Sequence, residues 1–69
     1  MSESQQIGKV IWVNGPVVRA RGSRQAGMMD VVEVGAEHLI AEVIGLVDDL
    51  LTLQDYEETA GLKPGAPVF

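Results

Sequence analysis

Apolar and polar positions along the chain fall into short blocks divided by turn-forming residues. Residues 1–6 are predominantly polar and aperiodic. They cannot repay the entropy of being ordered, so a loose tail is expected there, with structure beginning at Ile7. Residues 7–13, IGKVIWV, are rich in β-branched side chains, and Asn14, Gly15 and Pro16 interrupt them with three turn-favouring types in succession. That pattern predicts a strand, a tight turn and a second strand over residues 17–20. Pro16 has no N–H to give to a ladder and suits the first position or an edge of that second strand. Residues 21–27 are polar and basic and read as a loop. Residues 30–34, DVVEV, stop at Gly35 and read as a third strand.

The stretch 36–54 gives two conflicting signals. Leu39, Ile40, Val43, Ile44, Val47, Leu50 and Leu51 recur at three- and four-residue steps, which is the period of an amphipathic helix. Against a helix stand the β-branched Val43, Ile44 and Val47, the interior Gly45, and the Asp48-Asp49 pair, which suits a two-residue hairpin connection. The strand alternative places one strand over 39–47 and another over 50–54. Residues 57–67 contain two glycines and two prolines, which suit consecutive turns. Val68 and Phe69 start one more strand. An apolar pair at that point is expected to continue, so the sequence reads as a piece of a longer protein.

Composition narrows the partners. A chain of 69 residues allows one small core. The apolar 46% is almost wholly aliphatic, with one Trp, one Tyr and one Phe, and there is no cysteine to staple it. A neighbouring surface is therefore expected to help stabilise it. The net charge of −5 repels a polyanion and disfavours nucleic acid. No apolar run approaches the roughly 20 residues of a spanning helix, and residues 1–6 lack the basic start of a secretory signal.

Two blocks carry a family resemblance. Gly15-Pro16-Val17-Val18 follows the aliphatic first strand, and residues 56–68 read YEETAGLKPGAPV. Between them stand DVVEVG at 30–35 and LIAEVI at 39–44. Together these resemble the catalytic A (alpha) subunit of V/A-type rotary ATPases over residues 7–69. Four positions depart from the pattern: Trp12 where a polar residue is usual, Met29 where Tyr is common, Ala41 where Gly is common, and Asp55 where an apolar residue stands.

The resemblance implies an all-β fold, a small closed six-stranded antiparallel β-barrel over residues 7–69, and with it the strand alternative for 36–54. It implies a structural and assembly role in the crown of the subunit ring, through barrel–barrel contacts with neighbouring catalytic and non-catalytic subunits. The parent complex couples ATP hydrolysis or synthesis to proton or sodium translocation. Its soluble head is cytoplasmic and peripheral to a membrane, and ATP and Mg2+ serve the parent subunit elsewhere. Two further functions compete with this one: a free-standing barrel that self-associates into a homo-oligomer, and a small nucleic-acid-binding barrel of the kind that uses basic grooves and stacking aromatics.

No residue is assigned a catalytic, cofactor-binding or metal-binding role. Nucleotide phosphates need a Gly-rich loop ending in Gly-Lys-Ser/Thr at a helix start. Gly61-Leu62-Lys63-Pro64-Gly65 mixes the right residue types, but Pro64 removes a donor, and a turn is expected. His38 is the single histidine and reads as a solvated strand-end side chain. Ser2, Ser4 and Ser23 have no base placed beside them. Glu57 with Glu58 reads as a solvated or interfacial charge pair, and Asp48 with Asp49 as a hairpin tip in water. Trp12 is either a core filler or an exposed contact, and the core is preferred.

Overall fold

The turns at Gly15 and at Asp48 organise the chain. Gly15 has φ 58° and Asp48 φ 54°, left-handed values that tight hairpin connections use. The computed structural model describes residues 5–22 and 26–69. Among them six strands form: β1 (Gly8–Asn14), β2 (Val17–Gly22), β3 (Val31–Val34), β4 (Leu39–Val47), β5 (Leu50–Asp55) and β6 (Pro67–Val68). All pairings are antiparallel, and the sheet closes into a barrel in the order β1-β2-β5-β4-β3-β6. Closure gives every strand a partner on both sides, through the short β6 at the seam.

The helical reading of 36–54 is thereby corrected, and the reason is local. Ala41 and Val43 point inward at the strand period, but the register shifts between Val43 and Gly45, so the next inward side chain is Leu46. A β-bulge followed by a two-residue turn spreads a period of two into steps of three and four. Gly45 fits because a Cβ there would meet the Thr52 Cβ at 3.0 Å.

A second bulge lies in β1, where the register shifts between Val10 and Trp12. Simple alternation from the buried Val10 would turn Trp12 inward. The bulge instead leaves Ile11 and Trp12 both outside, at 41% and 39% exposure, and packs Val13 against the core. The expectation of a core Trp12 is thus overturned by one extra residue in the strand.

The interior holds Val10, Val18, Ala20, Val32, Val34, Ala41, Val43, Leu51, Leu53 and Val68, each at most 5% exposed. Such aliphatic side chains fill a barrel of this size without aromatic rings. Two glycines answer to tight spots. A Cβ on Gly22 would lie 1.9 Å from the Ile7 carbonyl oxygen, where β1 and β2 cross, and Gly35 combines φ 80° with the Leu62 side chain at 3.0 Å. The polar tail at 1–4 and the loop residues Ser23, Arg24 and Gln25, together with Ser2 and Ser4, lie outside the described residues.

Candidate interaction surface

The block 56–66 lids one end of the barrel. The Tyr56 hydroxyl donates to Glu42 Oε1 at 2.5 Å, the Ile40 N–H donates to Glu57 Oε2 at 2.9 Å, and the Thr59 hydroxyl donates to the Gly15 carbonyl at 2.8 Å. Leu62 packs on the core, and the Gly65 N–H donates to the Val10 carbonyl at 2.7 Å. Consecutive turns therefore strap β4, the β1–β2 turn and β1 together. An open groove of about 390 Å3 remains between this lid and the β3–β4 turn, lined by Val34, Leu39, Leu62 and Pro64 among others.

Glu57 follows β5 in a bend, with Glu58 exposed after it. Glu57 binds a backbone N–H, so it braces the start of β4. Asp49 lies at the β4–β5 turn as expected, exposed, with its Oδ1 2.9 Å from Arg21 Nη1. His38 stands just before β4 with φ 55°. Its Nδ1 lies 2.7 Å from Glu33 Oε1, and its ring stacks on Phe69 at 5.0 Å and 20°. The pair of contacts fastens the β3–β4 turn to the segment that leaves β6, beyond the plain solvated histidine expected.

Asp55 is the group that residue-type reasoning left without a place. Its side chain ends β5 on the inner face at 5% exposure, and neither carboxylate oxygen has a hydrogen-bond partner. Burial, and secondarily the Glu57 charge, raise its pKa to about 6. The sequence signal was available: a charged residue at a position two steps from the buried Leu53.

Residues 61–65 form consecutive turns. Gly61 and Gly65 take φ of 90° and 96° in turns, the Ala66 N–H is committed to the Lys63 carbonyl, and no helix follows. Among the described residues no helix is long and apolar enough to cross a membrane.

What the outer face does present is a division of charge and apolar surface. On β1 and β2, Ile11 and Trp12 are exposed beside Lys9, Arg19 and Arg21, and Arg19 Cζ sits 4.8 Å above the Trp12 ring. On and before β3 and on β4, Met28, Met29, Val31 and Ile44 are exposed beside Asp30, Glu33 and Glu42. Such surfaces suit association with another protein.

Comparison with known proteins agrees with this architecture. Residues 10–69 match the family described as the ATP synthase alpha/beta family, beta-barrel domain. The V-type ATP synthase alpha chain 1 of Clostridium tetani is 52% identical over 63 residues, covering 91% of this chain and 11% of that protein. The V-type ATP synthase alpha chain of Clostridium botulinum is 49% identical over 64 residues, 93% of this chain and 11% of that one. The A subunit of the A-type ATP synthase of Methanococcus maripaludis is 50% identical over 62 residues, 90% and 11% respectively. The chain thus spans about a tenth of the length of these curated relatives. It belongs to the ATP synthase alpha/beta family as a β-barrel domain of the kind found in the A (alpha) subunits of V- and A-type ATP synthases.

Proposed function

We propose that this barrel is an assembly module of a V/A-type rotary ATPase, joining the catalytic subunit to its neighbours in the crown of the head. The observation that carries the reading is identity of about half over nine tenths of the chain to the A (alpha) subunits of V- and A-type enzymes. A closed barrel strapped by the turns of residues 56–66, with no nucleotide-binding loop among the described residues, suits a mechanical part better than a chemical one. The parent complex would use ATP and Mg2+ bound elsewhere, couple hydrolysis or synthesis to proton or sodium movement, and sit on a membrane from the cytoplasmic side through other subunits.

The test is a graft. This chain replaces the corresponding barrel in the Clostridium tetani alpha chain, and ring formation with the partner subunits is followed by native mass spectrometry alongside ATPase activity. The graft is expected to restore rings and activity that deletion of the barrel abolishes. Rings that form equally well without any barrel would refute the role.

A further inference from the structure

We propose that residues 55–61 form a flap over one end of the barrel, hinged at Leu62, and that ionisation of the Asp55 carboxyl inside that end raises the fraction of molecules in which the flap is lifted. The proposal concerns this chain alone and holds whatever complex the barrel serves.

Asp55 stands where β5 gives way to the turns. Its N–H donates to the Pro16 carbonyl at 2.8 Å, and its partner across the ladder is Ala41 of β4. The residues that follow are tied to the same two places. The Tyr56 N–H donates to the Ile40 carbonyl at 2.9 Å, the Ile40 N–H donates to Glu57, and the Thr59 hydroxyl donates to the Gly15 carbonyl. Asp55 thus lies between the moorings of the flap to β4 and to the β1–β2 turn. Its side chain points into the barrel at 5% exposure, with no donor for either oxygen.

A buried anion needs a partner, and the surrounding elements supply none. On β4, Glu42 stands opposite Gln54, outside, and accepts from the Tyr56 hydroxyl. On β2, Arg19 is exposed over Trp12. Residues 14–17 of the β1–β2 turn carry no charge. On and before β3, Glu33 is engaged by His38, and Asp30 accepts from the Gly27 N–H. In the turns Glu58 and Lys63 are exposed, and Glu57 repels the carboxylate.

The flap is the easiest way out for the charge. Tyr56, Glu57, Glu58, Ala60 and Gly61 are exposed, so lifting them uncovers little apolar surface. Any other route breaks the ladder around the buried Leu51 and Leu53. Beyond the hinge, Leu62 packs on the core and the Gly65 N–H holds the Val10 carbonyl, so the barrel stays closed. Segments with few buried contacts open in this local way. Burial first, and the Glu57 charge second, raise the pKa of the enclosed carboxyl from 3.8 to about 6. The lifted form ionises more readily, so its ratio to the closed form rises about tenfold between about pH 5 and about pH 7.5. The closed form remains the majority.

Amide hydrogen exchange of the chain, read by NMR, tests this. Protection relative to an unstructured chain at the same pH should fall about tenfold over that interval at Asp55, Tyr56 and Ile40. At about pH 7.5 it should also lie at least about tenfold below that of Val43 and Gly65, whose N–H groups bond outside the flap. In Asp55→Asn the three flap amides should keep one level of protection at every pH. Flap amides as protected as Val43 throughout would mean that Asp55 leaves only when the whole barrel unfolds, and that result overturns the proposal without recourse to a variant. Protection independent of pH in the wild type, or a pH dependence that Asp55→Asn retains, overturns it as well.

Discussion

Asp55 ought to make this barrel weaker at neutral pH than in mild acid. Its carboxyl is 5% exposed with both oxygens unpartnered, and its pKa rises from 3.8 to about 6, first through burial and then through the Glu57 charge. The folded state therefore holds the proton more tightly than the unfolded chain. Below about pH 3.8 both states are protonated and the group takes nothing from stability. As pH rises toward 6 the unfolded chain ionises first, stability falls, and beyond about pH 7 the loss levels off. Two pKa units correspond to about 3 kcal/mol, a large share of the roughly 3–10 kcal/mol typical of a domain this size.

Asp55→Asn removes the titration at nearly constant shape, and Asp55→Val also removes the unpartnered polar atoms. Urea denaturation of the three proteins at steps from about pH 4 to about pH 7.5 gives the difference between variant and wild type at each pH. That difference should grow by about 2.4 kcal/mol across the range for both variants, since at pH 4 the unfolded carboxyl is already partly ionised, with Asp55→Val the more stable of the two at every pH. A difference that stays flat would refute the argument, because it would mean the carboxylate is solvated or paired in the native state.

Other consequences follow from the packing. Gly22→Ala forces a Cβ against the Ile7 carbonyl oxygen and should cost about 2–3 kcal/mol in urea denaturation; a neutral effect would show that the β1–β2 crossing is looser than described. Leu53→Ala empties a site with no solvent exposure and should cost about 2–5 kcal/mol, read as a lowered midpoint at unchanged slope. Trp12 should be quenched efficiently by acrylamide in the folded monomer, and quenching as slow as that of a buried indole would return it to the core.

Much of the strand layout was legible from residue types. Leu39–Val47 stands where the β-branched residues and the Asp48-Asp49 pair placed a strand, and β5 runs one residue beyond the expected 50–54. The helix signal over 36–54 could not be dismissed by period, because a bulge at Ile44 makes a strand imitate a helix in its spacing. The same device hid the orientation of Trp12, since a bulge depends on the partner strand's register and has no signature in β1 alone. The lid at 56–66 was readable as turns, whereas its bonds to Glu42, Ile40 and Gly15 join residues far apart in sequence. The departure at Asp55 could be read beforehand, but its cost became visible only once closure put the side chain inside.

The two-residue strand β6 has a bearing on how the chain acquires its shape. Val68 pairs with Gly8 on one side and with Val34 on the other, so one short segment near the last residue is the seam of the whole cylinder. Loop closure over some sixty positions is entropically slow, and the seam rewards it only at the end. Until it forms, β1 and β3 are open edges with unspent N–H and C=O groups, competent to recruit a stranger's strand. Folding is thus a race between the chain's own clasp and its neighbours, and tension applied at Phe69 would be felt by β1 and β3 at once.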